Sequence, residues 1–258
     1  MVSIEASGPE GVDLAWTRSP IGPTPDLTAV FYTSNFMTGH FIEAVKEHTL
    51  KVIGDYPLIS VSQKPMDFGE NICIGDVGRS HLNIYRQILI GAKAAKTKYI
   101  ALVEDDILYH PSHFIVKRPS PGHFLYDMNK WSIFTWTDPP MFSLRRRKVV
   151  NHVISETSLM IEAMEERFAR FDCLGFGTDE RVPKLGYWGD PGRYEQYLEV
   201  TVRPTEEFYA TAPGIVFSHP QAYGYTTRGE RKALANEKSE WLPDWGTAHE
   251  VMKEFYHG

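Results

Sequence analysis

Three consecutive carboxylates, Glu104, Asp105 and Asp106, follow directly on the apolar run Tyr99 to Val103. Lysines bound that run on its amino side, and this is the mark of a short strand buried on both faces. Side chains alternate along a strand, so an extended chain would send Glu104 and Asp106 to one side and Asp105 to the other. The carboxyl end of a central strand is where open α/β sheets bind ligands. Two carboxylates there can hold a hard divalent cation, and such a cation can neutralise a diphosphate. Taken alone, an acidic triplet more often just solvates a turn, so the elements that would position it decide its meaning.

Before the triplet, the chain alternates between strand and helix patterns. Leu27 to Tyr32 reads as a first strand, followed by the polar loop Thr33-Ser34-Asn35. Phe41, Ile42, Val45, Thr49 and Val52 recur at helical spacing. Leu58 to Ser62 reads as a second strand, and Asn71 to Gly78 as a loop. Ser80 is suited to cap a second helix, whose stripe is Tyr85, Ile88, Leu89, Ala92 and Ala95. Strand, helix, strand, helix, strand predicts parallel β-α-β units. The pattern then changes. Phe124 to Tyr126, Trp131 to Trp136 and Met141 to Val150 read as strands, with Arg145, Arg146, Arg147 and Lys148 on the last. Met160, Ile161, Met164, Phe168 and Phe171 mark a helix opened between Ser155 and Ser158. A Gly-rich acidic loop spans 175–192, and a short helix carries Glu195, Tyr197 and Leu198. Ile215 to Phe217 is a strand ending in Ser218-His219-Pro220. Thr247 and Glu250 fit a capping box opening a last helix with Ala248, Val251, Met252 and Phe255 inward.

The chain has 258 residues, 42% hydrophobic, enough for one sizeable core. Residues 1–26, rich in Gly, Pro and Ser, read as an irregular arm, and 27–258 as one domain. A net charge of -6 argues against a broad polyanion-binding face. Cys73 and Cys173 have no metal-ligand spacing and suggest no disulfide framework. No signal peptide or membrane span is visible, so a cytoplasmic protein with reduced thiols is expected.

This layout resembles the GT-A fold of nucleotide-sugar glycosyltransferases, particularly the family 2-like branch. The resemblance covers roughly residues 27–225 and rests on Glu104-Asp105-Asp106 closing a strand, in place of the family's Asp-x-Asp. It implies an α/β fold, a Rossmann-related mixed sheet flanked by helices. Residues 27–110 would then be the nucleotide-sugar-binding half and 111–258 the acceptor half. It also implies a metal-dependent glycosyltransferase with Mn²⁺ or Mg²⁺ and a nucleotide sugar as donor, a UDP-sugar first. By resemblance Asp106 would be the direct metal ligand, with His219 as a further one. Glu104 would lie near the ribose or a metal-bound water, with Asp105 beside it. The loop Thr33, Ser34, Asn35 would touch the base, although turn chemistry explains those residues equally well. Arg79 and Asn83, at the start of the second helix, face the same edge, and Arg79 could pair with a phosphate, although a solvated helix-end charge is the plainer reading.

An inverting enzyme needs a carboxylate that takes the acceptor's proton. Asp190 is the first candidate and Glu195 the second, with Asp179 and Glu180 as a further pair; caps and solvated charges are the plainer reading of each. His110 and His113 could join Asp106 in a metal site, but a turn is the simpler reading. The acceptor is expected to be a hydroxyl of a glycan or small molecule. The alternative is a hydroxymethylated pyrimidine in DNA, as for some small GT-A-like enzymes. It draws on Arg145 to Lys148 beside the aromatics Trp131 and Trp136. Tyr187 and Trp188 are further aromatics that could stack on a sugar or base, although core packing is the commoner role of such residues. A nucleotidyltransferase and a non-catalytic sugar-binding protein are the remaining rivals. The first would usually carry a Gly-rich basic loop after the first strand, which Thr33-Ser34-Asn35-Phe36 is not.

Overall fold

The structure, a computed structural model, describes residues 25–174, 190–192, 195–219 and 237–257. Its centre is formed by β1 (Leu27–Thr33) and β4 (Tyr99–Glu104), which pair in parallel. Every residue of β1 is buried. Its side chains split by parity: Val30 and Tyr32 enter one apolar cluster, Ala29 and Phe31 another on the opposite face. Between β1 and β4 in sequence come helix α1 (His40–Ile53), β2 (Leu58–Ser62), β3 (Glu70–Cys73) and helix α2 (His81–Ala94). β2 pairs in parallel with β1, and β3 in parallel with β2. β3 lies where a loop was expected. It is a short edge strand, half exposed and polar, so it carries no apolar alternation to betray it.

The chain then adds β5 (Ile107–Leu108), the short helix α3 (Ser112–Ile115), β6 (Phe124–Asp127), β7 (Lys130–Phe134) and β8 (Phe142–Leu144). After these come β9 (Val153–Glu156), helix α4 (Thr157–Leu174), the one-turn helix α5 (Glu195–Leu198), β10 (Thr205–Phe208) and β11 (Gly214–Ser218). The strand expected over 141–150 is only the three residues of β8, because Arg145 onward leaves the sheet and Val150–His152 forms a single 3₁₀ turn. β9 occupies part of the segment expected to open α4. It is inserted antiparallel between β4 and β6, and that pairing overrides the helical start. The described residues form a seven-stranded mixed sheet, order β10-β6-β9-β4-β1-β2-β3. A second sheet has the order β12-β8-β7-β11-β5, with β12 at Lys238–Ser239. β13 (Trp241–Leu242) and β14 (Gly246–Thr247) form a hairpin before the last helix.

Helices cover both faces of the large sheet. Tyr85, Ile88 and Ala92 of α2 join Met160 and Met164 of α4 on the face of Val30 and Tyr32. Ser80 caps α2, its side chain accepting from the Asn83 amide, as expected. Val52 and Ile53 of α1 lie on the other face, while Phe41 and Val45 meet the second sheet. The capping box of Thr247 and Glu250 is present and opens α6 (Ala248–Val251), which runs on as a π-helical segment Met252–His257. No helix among the described residues is long and apolar enough to cross a membrane.

The close seating of α2 on the sheet depends on Gly91. A Cβ there would come within 2.3 Å of Val30 Cγ1 and 3.2 Å of Val61 Cγ2. Gly91→Ala is therefore expected to destabilise the protein by about 1–3 kcal/mol through overpacking. Adding Val30→Ala should recover part of that loss, measured by urea denaturation. A Gly91→Ala variant as stable as its parent would show that α2 does not sit against β1 this tightly.

Candidate active site

β1 and β4 are in register with Tyr32 opposite Glu104, so the loops leaving both strands open at the same carboxyl edge. An open cleft lies there. Its walls include Thr33 and Ser34 after β1, Arg79, Ser80 and Asn83 at the start of α2, the triplet Glu104-Asp105-Asp106, and His219.

The triplet does not alternate as an extended strand would. β4 ends at Glu104 and the chain turns through Asp105 and Asp106 into β5, so all three carboxylates face the cleft. Each is held differently. Glu104 Oε1 accepts from the Tyr32 hydroxyl at 2.8 Å and Oε2 from Asn151 Nδ2 at 2.5 Å. Asp105 Oδ2 accepts from Thr33 Oγ1 at 2.5 Å. The Asp106 carbonyl accepts from the Phe217 amide at 2.9 Å, which pins the turn to β11. Two residues further along, His219 Nε2 lies 3.7 Å from Asp106 Oδ2. The His219 ring sits among Phe41, at 5.9 Å between centroids, and Tyr256, at 6.4 Å.

Crowding of three acids in a partly dry cleft has an electrostatic consequence. Burial, and next the charge of Asp106, pushes the Glu104 carboxyl up to about 8. The same two causes push Asp105 up to about 6, against the hydrogen bond from Thr33. Asp106 Oδ1 is buried with no hydrogen-bond partner. A buried carboxylate oxygen without a donor is costly unless a cation or ligand meets it. Among the described residues no three His, Cys, Asp or Glu side chains are arranged as a metal cage. Magnesium-like sites that share a substrate's phosphates need only one or two carboxylates, and Asp106, whose Oδ1 no donor meets, is a carboxylate of that kind.

Of the other residues expected at the site, Thr33 and Ser34 line the cleft, but Asn35 does not. Asn35 adopts φ 53 and accepts with Oδ1 from the amides of Gln63, at 2.7 Å, and Lys64, at 2.8 Å. It ties the ends of β1 and β2 together rather than facing a ligand. Asn83 lines the cleft, yet its Nδ2 is donated to the carbonyls of Val77 and Gly78. Arg79 lies with its guanidinium 3.9 Å from the centroid of Phe36, and both belong to the cleft wall.

Asp190 and Glu195 do not line the cleft. Asp190 is 2% exposed; its Oδ1 accepts from the Val150 amide at 3.1 Å and the Tyr85 hydroxyl at 3.4 Å. Glu195 is 4% exposed and pairs with the fully buried Arg167, Nη2 to Oε1 at 2.8 Å, while Oε1 also accepts from the Gly192 amide. Both have the geometry of framework groups: Asp190 Oδ1 and Glu195 Oε1 are engaged by donors of the fold. Asp179, Glu180, Tyr187, Trp188 and Pro220 lie outside the described residues.

His110 and His113 form no site with Asp106. His110 Nδ1 contacts Ser112 Oγ at 2.7 Å, and His113 Nδ1 contacts Asp127 Oδ2 at 2.9 Å. Sequence reasoning missed Tyr32, Gln63, Gln87 and Asn151. Tyr32 was within reach, since it stands opposite Glu104 once β1 and β4 are paired. Gln63 follows β2 at the same edge, and Gln87 Nε2 bridges the carbonyls of Thr33 and Val61 at 2.7 and 2.9 Å. Asn151 lies 47 residues beyond Glu104, and no local pattern marks it.

No protein-family model matches the chain, and no curated protein matches it. Among solved structures the chain is similar to a glycosyltransferase involved in the glycosylation of the major capsid of PBCV-1. That match has 13% identity over 80% of this chain and 97% of the other, with a TM-score of 0.38. A second is the catalytic domain of Drosophila β1,4-galactosyltransferase 7 in complex with xylobiose, at 11% identity, 90% and 81% coverage and a TM-score of 0.37. A third is the bifunctional IspDF from Campylobacter jejuni, at 10% identity, 72% and 50% coverage and a TM-score of 0.36.

Proposed function

We propose that the chain is a metal-dependent glycosyltransferase of the GT-A kind. It moves a sugar from a nucleotide sugar, a UDP-sugar first, to a hydroxyl of a glycan or small molecule. One observation carries this reading: the strand-end acids Glu104, Asp105 and Asp106 converge with His219 in an open cleft at the carboxyl edge of the parallel β1–β4 pair. Asp106 and His219 would hold the Mn²⁺ or Mg²⁺. When bound, the ion offsets the negative charge that builds on a departing diphosphate. Thr33 and Ser34 flank the place for the base, and Glu104, fixed by Tyr32, accepts from a donor hydroxyl. The amino end of the 14-residue helix α2 opens into the same cleft through Ser80 and Asn83, and its dipole favours a phosphate there. Arg79 adds a cation on the same wall.

The DNA alternative loses support from the basic run. Arg146 pairs with Glu237 at 2.8 Å and Lys148 with Glu207 at 3.1 Å, so these cations already face acids. Trp131 packs against the core of the second sheet. A glycan or small-molecule hydroxyl is the better-supported acceptor.

The test is a thermal-shift screen of nucleotides and nucleotide sugars, each with and without manganese, followed by slow hydrolysis of the best sugar donor. A ligand at 100 times its Kd should stabilise the fold by about 2.7 kcal/mol. UDP-sugars with manganese are expected to give the largest shift. If no nucleotide shifts melting and no UDP-sugar is hydrolysed, the reading is wrong.

A further inference from the structure

Behind Glu104 lies a half-buried polar group from the second half of the chain. Asn151, in the turn Val150–His152, donates from Nδ2 to Glu104 Oε2 at 2.5 Å. Its Oδ1 faces His152 Nδ1 at 2.9 Å. These two contacts set the amide one way round, since a flipped amide would turn its oxygen onto the carboxylate. They also require the Nδ1–H form of His152. That ring is fully buried against Tyr109, 5.2 Å between centroids, and His113, at 5.7 Å. Gly214 closes the other side: a Cβ there would come within 2.6 Å of His152 Nε2. The backbone is tied in as well. The Tyr109 hydroxyl donates to the Asn151 carbonyl at 2.6 Å and accepts from the Glu104 amide at 3.2 Å.

We propose that Asn151 is a positioning residue for Glu104. It holds one carboxylate oxygen while Tyr32 holds the other, so the acid meets the donor nucleotide already oriented. The terminal torsion of a glutamate is broad, and a carboxylate held from one side only would rotate away from its working plane. The wedged His152 is what keeps the Asn151 amide from turning. This inference rests on the reading of the cleft as a nucleotide-sugar site.

The test is a double-mutant cycle in binding, with calorimetry of UDP plus manganese as the readout and UDP-sugar hydrolysis alongside. Asn151→Leu is expected to weaken binding about 10–100-fold, the usual effect of losing a residue that orients a ligand-binding group. Asn151→Asp, of the same shape but without the donor, should do the same, and it serves if the leucine variant does not fold. In a Glu104→Ala background either change should have no further effect, because its action runs through Glu104. A merely structural role would give losses that add. Wild-type binding by both Asn151 variants, or additive losses, overturns the proposal and leaves the site reading standing. A wild-type protein that binds no UDP with manganese overturns both.

Discussion

Asp106→Asn is expected to lower metal-dependent transfer by about 10³-fold or more, since a Lewis-acid ion supplies several kcal/mol to such a reaction and each tenfold is about 1.4 kcal/mol. The substitution keeps the shape of the side chain and its place in the turn held by the Phe217 amide. It removes the charge beside Oδ1, the buried oxygen that no donor meets. The same change has an opposite effect on the fold. The charge of Asp106 is the second cause, after burial, that raises both Glu104 and Asp105. Taking it away relieves that repulsion, so metal-free thermal stability should stay level or rise. A loss of stability that parallels the loss of activity would mean that Asp106 supports the turn rather than the ion. Unchanged turnover at ordinary manganese concentration would remove the metal reading altogether.

Glu195→Gln is expected to cost about 3–5 kcal/mol of stability, the usual penalty for stranding one partner of a buried ion pair. Arg167 is fully buried, and its other contact is a donation from Nη1 to the Ala163 carbonyl at 3.1 Å. A neutral amide at 195 would leave the guanidinium in the interior without a counter-charge. Urea denaturation, read as a shift in midpoint at constant slope, measures this directly. The comparison with a catalytic role is sharp. A general base at this position would give a stable variant with a rate lower by about 10²–10⁴-fold. Replacing both Arg167 and Glu195 by leucine should restore much of the stability, because no charge is then left alone.

The residues best read from sequence are those whose role depends on near neighbours. The buried runs of β1, β2 and β4, the stripes of α1 and α2, the Ser80 cap and the Thr247–Glu250 capping box all follow from periodicity or from contacts within four residues. The acids at the end of β4 were legible for the same reason: an apolar strand that stops in three carboxylates is a local signal. Sequence alone had no means of showing that the triplet turns out of the strand. The turn is imposed by Asp106 pairing with β11, more than 100 residues later. β9, β10 and the edge strand β3 were hidden because each is short and takes its conformation from the strand beside it. The fates of Asp190 and Glu195 were hidden more deeply. A carboxylate near a predicted helix start looks the same whether it faces a substrate or an interior guanidinium. Only the packing of α4 against that segment brings Arg167 to Glu195, across 28 residues. Asn151 and His219 reach Glu104 and Asp106 in the same way, across 47 and 113 residues, because sheet pairing converts distant positions into neighbours at one edge.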